Sequence, residues 1–285
     1  MILSLIEQSI KRKIESVGVP LKDWNISINY GIKTGFNDAF IITKEKREEI
    51  LSNCKTEEER KKTAEIIRPI LRGRDIKRYS YEYANLYLIA TFPSRHYDIE
   101  QYPAIKKHLL SFRIERLEQT GKEYIINGEK IKARKKTNNK WFETQDSINY
   151  WDDFFKPKVM YAEIMRVTKS DVNDYPRFGL VESGIFSNNS VHFFSGKNLN
   201  SLVCLLNSEY ATWWFFNTVA ILDAGGMQMR KIFVENIPLP KLTENITPKN
   251  ADKEIYKAFN FSNEEISFIR KVIKNKQQEV LNTIK

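Results

Sequence analysis

The apolar residues of this chain change their spacing repeatedly and in no regular order. Ile2, Leu5, Ile6, Ile10, Ile14 and Val17 recur at helical spacing with Lys11, Arg12 and Lys13 on the polar side, until Gly18 and Pro20 end the run. The period then falls to two. Ile26, Ile28 and Tyr30 alternate with Asn25, Ser27 and Asn29, the pattern of a half-buried strand, and GIKTGFNDAFII follows as a turn and a second apolar run. Residues 45–67 are charged and helix-prone, and Pro69 is expected to break the chain after them. LYLIATF at 86–92 and KVMYAEI at 158–164 suit buried strands, and Pro103 opens a helix carrying Ile105, Leu109, Phe112 and Leu117. Asn127-Gly128 predicts a hairpin with a type I′ turn. Residues 179–194 read as strand, polar turn, strand, and Asn198 to Asn217 as one helix. Ser262 and Glu265 form a capping box ahead of Ile266, Ile269, Val272 and Ile273. Helices and strands that mix without βαβ alternation define an α+β chain, here a mixed sheet with flanking N- and C-terminal helices.

Charge narrows the function. The 285 residues carry a formal net charge of +10, yet that charge is concentrated in two places. RPILRGRDIKRY at 68–79 holds five cations and one anion, and residues 101–140 hold eleven cations and four anions. The remainder is close to neutral. Concentrated positive charge points to an acidic partner, nucleic acid first and an anionic membrane surface second. The most apolar stretch, Leu199 to Leu222, contains Asn200, Asn207, Glu209 and Asn217 and reads as a buried helix, so no membrane partner is expected. Cys54 and Cys204 lack CxxC spacing and His96, His108 and His192 lack ligand spacing, so neither a metal site nor a disulfide framework is expected. Together with the absence of a secretory pattern at the N-terminus, this suits a cytoplasmic protein. The opening amphipathic helix packs either on its own domain or on something outside the sequence.

Catalytic signatures are missing. There is no GxGxxG, no GxxxxGK[ST] and no GxSxG. Asp75-Ile76-Lys77 has the carboxylate-x-lysine form used by metal-dependent nucleases, but no matching upstream acid accompanies it, and Glu57-Glu58-Glu59 reads as a solvated helix face. Gly225-Gly226-Met227-Gln228-Met229-Arg230-Lys231 combines a freely turning backbone with groups suited to base edges or phosphates.

Several segments, taken in order, resemble one family: Gly31 to Phe40, Arg68 to Ile76, Leu88-Ile89, Tyr102 to Lys106, Lys140 to Glu143, Phe155 to Val159, Leu205 to Ser208 and Ile237 to Pro240, with Ile255 to Phe259 and Glu264 to Ile266 in the tail. This order resembles the TaqI-like C-terminal specificity domain, the target-recognition part of adenine-specific DNA methyltransferases and type IIG restriction-modification enzymes. The resemblance spans roughly residues 20–270. It implies a DNA-recognition domain over 20–245, a helix at 1–19 linking it to a catalytic domain, and a helical tail at 246–285. The catalytic half of that family carries a glycine loop and a [DNS]PP[YFW] motif, whereas this chain has no Pro-Pro dipeptide. Recognition is therefore implied and catalysis is not: no catalytic or metal residue is assigned, and S-adenosylmethionine would belong to a partner methyltransferase, with or without a nuclease.

The resemblance implies double-stranded DNA as ligand. Arg72, Arg74, Lys77, Arg78, Lys132, Arg134, Lys135, Lys136 and Lys140 are the candidates for phosphate contact. Lys33, Thr34, Asn37, Asn188, Asn189, Gln228 and Arg230 are the candidates for base reading. Trp141 suits a stacking group or a core anchor, and Asp75 an internal partner for one of the arginines. Three alternatives stay open: a type I-like specificity subunit, a stand-alone nuclease of the same defence systems, and a scaffold whose basic patches meet an acidic protein.

Overall fold

Strand Lys158–Ala162 is buried along its whole length, because it lies at the centre of a sheet covered on both faces. A computed structural model of the protein describes residues 4–241 and 245–284. Ile2, read as part of the first helix, and Lys285, at the end of the tail, lie outside the described residues. The sheet has the order Phe178–Val181, Lys158–Ala162, Val191–Ser195, Ser27–Tyr30, antiparallel throughout. Alternate side chains feed two separate cores. Val159, Tyr161, Phe178 and Phe194 join one with Ile10, Ile14 and the buried apolar residues of 199–280, while Met160, Val181 and Phe193 join another drawn mainly from residues 32–154.

A second sheet has the order Phe186–Ser187, Ile67–Leu71, Leu86–Ile89, Ile41–Thr43, its first pair parallel and the rest antiparallel. The run 179–194 is thus shared between two sheets and does not form one hairpin. Phe186 draws the turn across, stacking on Phe154 at 4.2 Å between ring centroids and packing beside Phe92 and Trp151. Pro69, expected to break the chain, lies inside strand Ile67–Leu71. The neighbouring strand pairs only with Ile70 and Leu71, so the missing Pro69 N–H interrupts no ladder on that side.

The helix expected over 198–217 is two helices, Leu199–Leu206 and Glu209–Thr218. Asn207 leaves helical geometry to serve the sheet edge. Its Oδ1 accepts the Phe178 N–H at 3.0 Å and its Nδ2 donates to the Phe178 carbonyl at 2.8 Å, standing in for a missing strand. Ser208 then caps the next helix by accepting the Ala211 N–H.

Both flanking helices form, the second behind the expected Ser262–Glu265 capping box. Leu5–Val17 and Asn263–Asn282 both begin with capping boxes. They meet through Glu265, which accepts from Ser9 Oγ and Lys13 Nζ at 2.7 Å each. Ile10 and Ile14 are buried in this chain's own core with Ile6 packed against it, whereas Leu5 and Val17, at the two ends of the same face, are exposed. The hairpin forms with Asn127 and Gly128 both at positive φ. The fold is α+β.

Two expectations follow. Gly31 lies so close to the turn at 188 that an added Cβ would sit 1.9 Å from the Asn188 carbonyl oxygen. Gly31→Ala should therefore destabilise the protein by about 1–3 kcal/mol, read as a lower denaturant midpoint. His192, sandwiched between Tyr161 and Tyr30, is 2% exposed with neither ring nitrogen partnered. Burial, with the Lys231 charge second, pulls its pKa down to about 4. Its neutral ring supports full stability above the unfolded value of about 6.5 and loses that contribution as pH falls through 4. Unfolding free energy should drop by up to about 3 kcal/mol more over this window in the wild type than in His192→Phe. Equal pH slopes in the two proteins would contradict the assignment.

Candidate nucleic-acid interface

The basic motif 68–79 is divided by its environment. Asp75 is 5% exposed and its carboxylate accepts from the Arg72 backbone N–H at 2.8 Å, from Nε at 3.0 Å and from Nη2 at 2.8 Å. This hydrogen bonding raises the Arg72 pKa. Asp75 is a structural partner, with both oxygens occupied. Arg78 donates to the carbonyls of Asn173 and Asn207, Arg68 lies over the Phe155 ring, and Lys77 pairs with Glu82 at 3.1 Å. Among the described residues, Arg74 is exposed and has no hydrogen-bond or ion-pair partner.

A chain of hydrogen bonds joins segments far apart in sequence. The Asn188 N–H donates to the Leu71 carbonyl, and the Asn189 N–H to the Ile32 carbonyl. Gly73 N–H donates to Ser190 Oγ at 3.0 Å, which donates to Asn188 Oδ1 at 2.6 Å. Glu163 N–H then donates to the Ser190 carbonyl, and Met229 N–H to the Glu163 carbonyl. Strand Ile164–Arg166 continues the path by pairing with Gly226–Gln228, which also pairs with Ile221–Leu222. Four of the segments singled out in the sequence are thereby fastened side by side: 31–34, 71–77, 188–190 and 226–230.

Two of them, 71–77 and 188–190, together with 163–166 and 171–177, line a groove of about 500 Å³ formed by Gly73, Arg74, Lys77, Glu163, Ile164, Arg166, Asp171, Arg177, Asn189 and Ser190. Gln228 stands opposite Ile164, so the pleat puts both on one face. Arg166, Arg177 and Glu163 were not selected from the sequence. Each is a single charged residue in an unremarkable context; Arg166 is positioned by the pairing of 164–166 with 226–228, and Arg177 by its bonds to the Arg166 carbonyl and Asp171.

The second basic stretch surrounds the loop at 33–37. Lys132, Lys135, Lys136 and Lys140 are exposed, as are Lys33, Asn37, Asn189 and Arg230. Three selected residues are not surface groups. Arg134 is 4% exposed and donates to the carbonyls of Leu117, Thr34, Glu143 and Trp141 at 2.6–2.8 Å. Burial pulls its pKa down to about 10. A guanidinium fixed on four carbonyls is not free to meet a phosphate. Thr34 is 1% exposed, its hydroxyl bonded to Asn37 Oδ1 and the Phe36 N–H. Asn188 is buried, with Oδ1 occupied by Ser190. These three position the loops that carry Lys33, Asn37 and Asn189. Trp141 is half-buried against the second core, edge-on to Phe142.

Among the described residues, no group of three or more His, Cys, Asp or Glu is placed to hold a metal ion. Nor is any helix among them long and apolar enough to cross a membrane.

The scaffold is α+β, and its groove gathers cations from 74–77, 166 and 177 beside Asn189. The sequence profile of the TaqI-like C-terminal specificity domain matches residues 68–239, more than half of the chain, and the chain belongs to that family. The segments at 31–40 and 255–266 lie outside the matched span. No curated protein matches the chain. Among solved structures, the type IIG restriction endonuclease BpuSI is similar with a TM-score of 0.56 and 13% identity, over 98% of this chain and 33% of that one. The type IIL restriction-modification enzyme MmeI, in complex with DNA, aligns with a TM-score of 0.49 and 15% identity, over 93% of this chain and 32% of that one. The chain therefore spans about a third of the length of these structures.

Arg134→Ala should cost about 3 kcal/mol or more, since it leaves buried carbonyls unpaired, and Arg134→Lys should not restore the fork of bonds. Lys135→Ala should change stability by less than about 0.5 kcal/mol. Chemical denaturation of the three variants checks this.

Proposed function

We propose that this chain recognises the DNA target of a restriction-modification system and that methyl transfer, with any cleavage, is performed by a partner. Membership of a specificity-domain family carries the reading. It is supported by a fold shared with a type IIG restriction endonuclease and by a groove that gathers Arg74, Lys77, Arg166 and Asn189. Double-stranded DNA lies over this groove. Arg74 and Lys77, with Lys132, Lys135, Lys136 and Lys140, neutralise phosphates, while the more committed Arg72 and Arg78 brace the loop that presents Arg74. Sequence is read by Lys33, Asn37, Asn189, Gln228 and Arg230, amide groups pairing with adenine and cations with guanine.

The partner is an adenine-N6 methyltransferase domain or subunit acting in the cytoplasm, and a nuclease can accompany it. S-adenosylmethionine belongs to that partner, and no residue of this chain takes part in the transfer. Residues 1–19 join the recognition domain, 20–245, to the catalytic part, and 246–285 brace the first helix.

Fluorescence anisotropy of labelled duplexes across a salt series tests the reading. Affinity should fall steeply with salt, and Arg74→Ala or Lys77→Ala should each reduce the slope of log K against log salt by about one while weakening all sequences alike. Gln228→Ala should instead change which duplexes are preferred. No binding at the lowest salt would refute DNA recognition.

A further inference from the structure

A phosphate clamp leaves Glu163 unexplained. It lines the groove among Arg74, Lys77, Arg166, Arg177 and Asn189, yet makes no salt bridge among the described residues. The other acid of the groove, Asp171, is paired with Arg177 at 3.3 Å. An unpaired carboxylate facing a duplex repels phosphate and gains nothing from the backbone. It gains from a hydrogen-bond donor, and the major-groove edges supply one in the exocyclic amino groups of cytosine and adenine.

Its mounting is rigid. The Glu163 N–H donates to the Ser190 carbonyl at 2.9 Å and its own carbonyl accepts the Met229 N–H at 2.7 Å. The residue is therefore held between the turn that carries Asn189, a groove-lining amide, and the strand that carries Gln228.

We infer that Glu163 is a base-reading residue whose carboxylate accepts a hydrogen bond from the amino group of one base, most readily cytosine N4. This rests on the target-recognition reading above. The same carboxylate rejects thymine and guanine at that position, because their major-groove oxygens are acceptors.

The test uses the 285-residue chain. Wild type, Glu163→Gln and Glu163→Ala each select from a pool of duplexes with a randomised central stretch, and the bound fraction is sequenced. The wild-type consensus duplex is then titrated with 2-pyrimidinone replacing cytosine, or purine replacing adenine, one position at a time. Both analogues lack the amino group. At one position the wild type should lose about tenfold or more in affinity, and Glu163→Ala should be indifferent to that replacement. Sensitivity to 2-pyrimidinone identifies cytosine, and sensitivity to purine identifies adenine. An unchanged consensus with affinity raised alike for every duplex would overturn the assignment, leaving only a charge effect. So would a uniform loss of affinity with a lower Tm in Glu163→Ala, if the isosteric Glu163→Gln kept both the Tm and the wild-type consensus. Failure of the wild type to bind the pool at low salt would overturn target recognition itself, a result distinct from selection that ignores Glu163.

Discussion

Two hydrophobic cores share one sheet, and the strands of that sheet fix the ends of three segments beside the groove. In strand Lys158–Ala162 the pleat sends Val159 and Tyr161 to one core and Met160 to the other. In strand Val191–Ser195, Phe193 and Phe194 divide in the same way. A one-residue slip would exchange the two sets and leave both cores mismatched, so the register is fixed from both sides. Residues just beyond the strand ends inherit this certainty. Gly31 follows one strand, Glu163 follows another and Ser190 precedes a third, and all three belong to the hydrogen-bonded path along the groove.

That path is built largely from backbone and from small polar side chains. Asn188, Ser190 and Gly73 make the central contacts, and none carries charge. Gly31 has no Cβ because the Asn188 carbonyl occupies that space. The outward-facing groups are thereby held by partners that do not compete with them for a ligand. A recognition surface assembled this way enters the complex with its loops already ordered, which lowers the entropic cost of binding.

The sequence made the elements legible wherever a local rule governed them. Helix periodicity, the Ser262–Glu265 capping box and the Asn127-Gly128 turn depend on neighbours a few residues away. Pro69, Asn207 and the 179–194 run depend on partners far along the chain. Pro69 is acceptable because the adjacent strand is short, Asn207 interrupts a helix to complete the Phe178 edge, and Phe186 crosses between sheets to reach an aromatic cluster. The candidate site divides likewise. Motif reading found 31–40, 68–78, 188–189 and 225–231 separately, but nothing local revealed that they adjoin, or that Glu163, Arg166 and Arg177 stand between them.

Charge density proved a coarser guide than charge environment. The cations of the two basic stretches are alike in sequence, yet they fall into groups with different physical futures. Arg134 holds four carbonyls and Arg78 two, so each links chain segments, and Arg134 is buried in doing so. Arg72 is matched to a buried carboxylate, which fixes a turn and offsets its charge. Arg74 and the lysines at 132, 135 and 136 keep their charge toward solvent. In these two stretches arginine takes the buried position at 134, where its planar fork satisfies several carbonyls at once, while the strongly hydrated lysines at 132, 135 and 136 stay exposed. The same residue type therefore builds the loop at one position and offers itself to a ligand at another. Counting cations overstates the binding surface and understates how much of the basic motif is scaffold.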